Sequence, residues 1–284
     1  MIIARTADEV AATVSGPIAF VPTMGALHEG HASLIRRAAA SGNAVVVSDF
    51  VNPTQFGPGE DFERYPRDLA HDAAIAEAAG ADVLYAPAVD EVYPEGFATT
   101  VDPGPLATEL CGARRPGHFA GVATVVTRLY GLIGPTQAIF GRKDYQQFVL
   151  MQQVARDLAL GVEVIGAPTV REPDGLALSS RNRYLSPSER RTAAEVPAAL
   201  RRLARAYAAG ERTEPLLLQA AATEGLELEY LALRATDLSA YQPAAPAVAL
   251  IACHVGGTRL IDNIELDPAA PDAAATLLDA KDPA

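Results

Sequence analysis

Two histidines three residues apart carry the first chemical signal in this chain. His28 and His31 lie in Pro22-Thr23-Met24-Gly25-Ala26-Leu27-His28-Glu29-Gly30-His31. An apolar run at 18–21 precedes the stretch and reads as a buried strand; residues 32–39 follow it and read as a helix. A strand-to-helix turn is where doubly wound α/β folds place their ligands. Gly25 and Gly30 carry no Cβ, so a ligand can approach the backbone closely. The first N–H groups of a helix lack partners inside it, and a phosphate at this turn meets backbone donors and one or two imidazoles. The same residues also fit a plain βα turn with two solvent-facing histidines. The spacing allows a metal pair, but no third ligand stands nearby, and Cys111 and Cys253 lie far away.

Four other stretches bring polar groups to what reads as the ligand edge of a sheet. Asn52-Pro53-Thr54-Gln55-Phe56 follows a β-branched run at 44–50, and Pro53 bars helix there, which puts the Asn52 and Gln55 amides on a loop. The Gln55 amide offers a donor and an acceptor, which suits hydroxyl and carboxylate groups; an ordinary Asn-Pro turn fits as well. Arg114-Arg115-Pro116-Gly117-His118-Phe119-Ala120-Gly121 is either a basic loop near phosphates or a solvated one. Phe140-Gly141-Arg142-Lys143-Asp144-Tyr145-Gln146-Gln147 reads again as strand, turn, helix. Lys143 stands at the helix start, where a cation opposes the dipole unless an anion is bound. The chain has 23 Lys and Arg residues, and lysine occurs only at Lys143 and Lys281. A lysine kept against that bias fits a need for a compact ammonium. In Arg171-Glu172-Pro173-Asp174-Gly175-Leu176-Ala177-Leu178-Ser179-Ser180-Arg181-Asn182, two hydroxyls and a guanidinium could clamp a phosphate.

The elements that must position these groups alternate. Strand-like runs at 18–21, 44–50, 82–85, 138–140 and 162–165 are separated by helix-like segments at 32–40, 69–79, 122–132 and 145–158. That alternation implies a parallel sheet covered on both faces. Ser186-Pro187-Ser188-Glu189 is a capping box that starts a long helix to about residue 209, and 214–224 reads as a second helix. Strand-rich segments at 226–234 and 247–266 follow, with Gly256-Gly257 as a hairpin turn. We therefore expect an α/β domain over 1–169, a smaller α+β domain over 170–268, and a frayed Pro/Ala/Asp tail over 269–284.

Composition sets outer limits. The net charge of −12 argues against a nucleic-acid partner. No apolar run approaches the length needed to span a bilayer, the N-terminus lacks a signal-peptide pattern, and two distant cysteines suit a reducing cytoplasm.

Together these blocks resemble the pantothenate synthetase (pantoate–β-alanine ligase) family, whose motifs appear in order between about residues 21 and 186. The wider nucleotidyltransferase superfamily shares the His-x-x-His element. The resemblance implies a Rossmann-like doubly wound parallel sheet, a C-terminal lid domain and a homodimer. It implies ATP and Mg2+, a pantoyl-adenylate intermediate, and attack by β-alanine to give pantothenate and AMP. On the same basis His28, His31, Lys143 and Arg181 are the catalytic group, with His31 in the family's proton-donor role. Met24, Gly25, Ala26, Leu27, Glu29, Gly30, Gly141, Arg142, Asp144, Val170, Leu178, Ser179 and Ser180 join them in holding ATP. Gln55 and Gln147 hold pantoate; Gln55, Asn52 and Tyr65 receive β-alanine; Asp72 is the acidic residue for Mg2+. Arg142 departs from the family pattern, which usually has an acidic residue there, and His71 stands where a second acid would fit. Other readings kept open are a nucleotidyltransferase that stops at the adenylate or dinucleotide, and a silent nucleotide-binding module.

Overall fold

The computed structural model describes residues 1–223 and 225–279. The chain forms two compact units, one made of residues 1–142 and 146–168, the other of 143–145 and 169–284.

The first unit is built on a six-stranded parallel sheet in the order β1-β4-β3-β2-β5-β6. The strands are β1 (Ile2–Ala4), β2 (Ile18–Thr23), β3 (Ala44–Asp49), β4 (Val83–Tyr85), β5 (Gln137–Gly141) and β6 (Glu163–Ala167). Helices α1 (Ala7–Thr13), α2 (Glu29–Ala39), α3 (Leu69–Ala78), α4 (Val89–Val92), α5 (Cys111–Arg114), α6 (His118–Ile133) and α7 (Tyr145–Asp157) connect them. The inner strands are apolar on both faces, as a sheet covered on both sides requires. Phe20, Val46, Val47 and Leu84 are fully buried, and α2 turns Ala32, Ile35 and Ala38 onto the sheet at helical spacing. Strand order reverses between β2 and β5, so the turns after these two strands flank the crevice of the sheet.

Neither β1 nor α1 is evident from sequence pattern. β1 is an exposed edge strand of three residues; α1 is a two-turn helix closed by a capping box between Thr6 and Glu9. Helix α6 begins at His118, four residues before the expected start, because Gly117 adopts a left-handed φ of +83° and turns the chain straight into it. Pro53 does not exclude helix either. It occupies the first position of a 3-10 turn, Pro53–Gln55, where its missing N–H costs nothing.

The second unit packs helices on an antiparallel sheet, β7 (Glu227–Ala235), β8 (Ala247–Val255) and β9 (Thr258–Leu266), with Gly256 at φ +56° in the β8–β9 turn. The long helix expected after Ser186 is two helices, α8 (Pro187–Ala193) and α9 (Glu195–Ala208). The break falls where Pro197 has no N–H to offer the carbonyl of Ala193. Helix α10 spans Glu214–Ala220, and Glu224, the expected end of that helix, lies outside the described residues. The expected frayed tail is helical over Ala273–Asp279 (α11): Ala274 and Leu278, one turn apart, pack into the core of this unit. Residues 280–284, including Lys281, lie outside the described residues.

One ion pair ties the 170–182 segment to this sheet. Arg171 donates to both oxygens of Asp262 at 2.7 and 3.0 Å, and the Asp262 side chain is fully buried. Arg171→Met should therefore destabilise the second unit by about 3–5 kcal/mol, since it strands a buried carboxylate. Adding Asp262→Asn should recover much of that loss in urea unfolding; a single mutant as stable as wild type would show that the pair does not hold this segment.

Candidate active site

The turn between β2 and α2 closes on its own side chains. His28 is the N-cap of α2, and its Nδ1 accepts from Gly30 N–H at 3.1 Å. His31, at the third helical position, returns the bond: its Nδ1 accepts from His28 N–H at 3.3 Å. His-x-x-His thus occupies the cap-to-third-position spacing that Ser-x-x-Glu usually fills. Each Nδ1 is an acceptor, so each neutral ring carries its proton on Nε2. The rings lie 4.1 Å apart, inclined by 31°. A Cβ on Gly30 would stand 2.9 Å from the His28 ring, which is why a glycine follows there. The arrangement places an Nε2–H on each of two imidazoles within one helix turn.

Several backbone donors expected to cradle a phosphate are already engaged. Ala26 N–H and Leu27 N–H donate to the two oxygens of Asp72, at 2.8 and 2.6 Å. Gly25 N–H donates to Thr23 Oγ1 at 3.1 Å. Leu27 and Ala26 are core residues, and Ala26 holds a left-handed φ of +52° that an alanine adopts only under constraint. Glu29 is exposed and paired with Arg36.

Asp72 therefore has a different role from the Mg2+ ligand expected from the sequence. It is wholly buried and shapes the turn from beneath. Asp49, at the end of β3, is hydrogen-bonded to it, and burial together with the Asp72 charge pushes the Asp49 carboxyl up to about 6. Gly25, at φ +74°, lies against this pair; a Cβ there would overlap Asp49 Oδ1.

Beside the turn, the 52–56 loop is closely bonded. Asn52 is almost fully buried. Its oxygen accepts from Tyr93 OH at 2.8 Å, Thr54 Oγ1 at 3.0 Å and Thr54 N–H at 3.3 Å. Its amide nitrogen donates to Gln55 Oε1 at 3.0 Å and to Gly121 O at 3.2 Å. An amide so fully used does not fit the direct contact with β-alanine expected of Asn52. Gln55 Nε2 lies 3.1 Å from Met24 Sδ, which brings the two predicted residues together. Tyr65 is buried with its ring against Phe56. The Arg114–Gly121 stretch is neither a solvated loop nor a free basic one at Arg115. Arg115 forms a double hydrogen bond with Glu60 and donates to His118 Nε2 at 2.8 Å, while His118 Nδ1–H donates to Gln55 O at 2.9 Å. Burial raises the Glu60 carboxyl, but the Arg115 bond and charge outweigh it and leave it below its ordinary range.

Gly141 ends β5 and Arg142 lies over Phe148, its guanidinium 6.0 Å from the ring centroid, against Gly166. Gln146 is buried and structural: it accepts from Cys111 N–H and donates to the carbonyls of Leu106 and Glu109. Gln147, next along α7, is half-buried.

In the second unit, Lys143 is half-buried and Asp144 exposed; Lys143 O accepts from Asn263 Nδ2 at 2.9 Å. Val170 O accepts from Leu178 N–H at 2.9 Å, closing a small hairpin that ends at Ser179. Ser179 caps the 3-10 turn Ser180–Tyr184 by accepting from Arg181 N–H, so Ser179, Ser180 and Arg181 share one turn.

The sequence model of the family described as Pantoate-beta-alanine ligase matches residues 3–265. The chain belongs to that family. Pantothenate synthetase of Nocardia farcinica is 50% identical over 262 residues, covering 91% of this chain and 82% of the relative. A crystal structure of Thermus thermophilus pantothenate synthetase superposes with a TM-score of 0.90 at 47% identity, over 94% of this chain and all of that one. The Francisella tularensis pantoate-beta-alanine ligase, complexed with "Beta-gamma ATP and Beta-alanine", gives a TM-score of 0.75 at 34% identity, over 93% of this chain and 97% of that one.

Asp49 gives this turn a pH dependence. A carboxyl with a raised folded pKa holds its proton more tightly folded than unfolded, so its contribution to stability is full below about 3.8 and is lost as pH rises to about 6. Asp49→Asn, which keeps a donor toward Asp72, should raise Tm at pH 8 by about 2–4 °C and leave it unchanged near pH 4. Thermal scans at the two pH values check this; an equal shift at both would remove Asp49 as its source.

Proposed function

We propose that this chain condenses pantoate with β-alanine, converting ATP to AMP and pyrophosphate. The observation that carries the reading is the His28–His31 pair, locked at a helix N-terminus with both Nε2 protons as donors, in a member of the pantoate-beta-alanine ligase family. The ligands named for the Francisella relative support it.

A pantoate carboxylate oxygen attacks the ATP α-phosphorus, and the bond to the pyrophosphate oxygen breaks. The β-alanine amine then attacks the carbonyl carbon of the pantoyl adenylate. The C–O bond to AMP breaks, AMP leaves with the electron pair, and the amine gives up a proton. Nothing in this sequence of steps needs a covalent enzyme intermediate. Catalysis is positioning plus neutralisation of charge on phosphate oxygens. His28 and His31 donate to those oxygens, with His31 as proton donor to the leaving group. In the second unit, Lys143, Ser179, Ser180 and Arg181 are the residues we assign to phosphate. Gln55 and Gln147 hold pantoate.

Mg2+ comes with the triphosphate in this reading. Among the described residues no group of three or more His, Cys, Asp or Glu side chains is placed to hold a metal ion. One or two carboxylates plus phosphate oxygens suffice for Mg2+, and we do not assign it to Asp72. A homodimer is part of the proposal, to be checked by light scattering. No helix among the described residues is long and apolar enough to cross a membrane.

The first test is AMP release from ATP with D-pantoate, with and without β-alanine. AMP and pantothenate in equal amounts, only when both acceptors are present, is the expected result. AMP release independent of β-alanine would refute the ligase reading. Lys143→Ala should reduce pantoate-dependent ATP–pyrophosphate exchange more than about 100-fold with Tm unchanged; near-normal exchange would remove Lys143 from the phosphates.

A further inference from the structure

We propose that Tyr93 is a positioning residue for pantoate, acting through Asn52 on the amide of Gln55. The inference rests on the assignment of Gln55 to pantoate made above.

A primary amide can be placed two ways round, and the choice decides whether it offers a ligand donors or an acceptor. Here the surroundings fix the choice. The Tyr93 hydroxyl, the Thr54 hydroxyl and the Thr54 N–H all converge on one atom of Asn52, at 2.8, 3.0 and 3.3 Å. An atom facing two hydroxyls and an N–H is the oxygen. The other end of the amide faces Gly121 O and Gln55 Oε1, at 3.2 and 3.0 Å. A carbonyl can only accept, so that end is the NH2. Asn52 in turn uses the Gln55 oxygen. Gln55 is left with its NH2 toward Met24, so that its donor end lies on that side.

The chain Tyr93 OH, Asn52, Gln55 therefore sets the polarity of a predicted substrate contact. Donors suit the carboxylate and hydroxyl oxygens of pantoate; the flipped amide would aim an oxygen at them. Tyr93 reaches this node from α4's C-terminal cap, and its ring is held between Phe50 and Phe97, with centroids 6.2 and 5.1 Å away. The backbone side of the same loop is held separately, by His118 on Gln55 O. Loss of the Tyr93 hydroxyl would thus loosen the amide without moving the loop. Gly121 belongs to the node as well: a Cβ there would overlap Thr54 O, so the α6 backbone can approach only as glycine.

The test is pantoate-dependent ATP–pyrophosphate exchange in wild type, Tyr93→Phe, Thr54→Val and Thr54→Ser. Tyr93→Phe keeps the ring and removes the donor; Thr54→Ser keeps the hydroxyl that Thr54→Val removes. Tyr93→Phe and Thr54→Val should each raise the KM for pantoate about 3- to 10-fold. The KM for ATP should stay within about twofold and Tm within about 2 °C, while Thr54→Ser behaves as wild type. If Tyr93→Phe fails to fold, the comparison of Thr54→Val with Thr54→Ser decides alone. An unchanged pantoate KM in the valine and phenylalanine variants, or equal rises for pantoate and ATP, would overturn the positioning role while leaving the ligase reading intact. Wild-type exchange that ignores pantoate would instead overturn the ligase reading, and this role with it.

Discussion

Asp72 accepts hydrogen bonds from two consecutive backbone amides, Ala26 and Leu27, and the turn that carries both histidines takes its shape from those two bonds. Without them the chain would have to bury two unpaired N–H groups, at about 1–3 kcal/mol each. With them, Gly25 and Ala26 are held in left-handed conformations, and the chain enters α2 with His28 as its cap. Asp49 adds a second carboxyl beside the first, and burial together with the Asp72 charge pushes the Asp49 carboxyl up to about 6. The constraint comes from α3, a helix that supplies no predicted phosphate contact.

The same logic governs the three histidines near the site. His28 and His31 each accept at Nδ1 and carry the proton on Nε2. His118 does the opposite: it donates from Nδ1 to a carbonyl and accepts from Arg115 at Nε2. One pair accepts at Nδ1 to close a helix cap, and the other ring donates from Nδ1 to fasten a loop. Residue type alone does not distinguish these roles; the bonding partner of each ring nitrogen does.

Much of the first unit can be read from the sequence because its strands are continuous apolar runs and its helices carry clear periodicity. The blocks that carry the family resemblance are equally legible, since their residue types and order are specific. What escapes has physical causes. Asp72 reads as a metal ligand because an acid in a sequence is silent about whether it faces a cation or a pair of amides. Asn52 reads as a substrate contact although its hydrogen bonds are all internal. The capping role of His28 is hidden because histidine rarely caps, and sequence pattern starts α2 three residues late. The helix at Ala273–Asp279 is short and alanine-rich, so only the Ala274–Leu278 pair marks it, and two residues make a weak period.

The chain does not pass from one unit to the other once. Residues 143–145 belong with the second unit, and the chain then returns to the first before leaving it again at 168. In that short excursion Lys143 O accepts from Asn263 and Tyr145 OH donates to Thr236 O. No single cut divides this protein into its two units. A fragment beginning at residue 169 would lack three residues of its own fold, and the remaining fragment would keep three that belong elsewhere. The two units are stitched together in sequence, so neither is a module that recombination could exchange by one crossover.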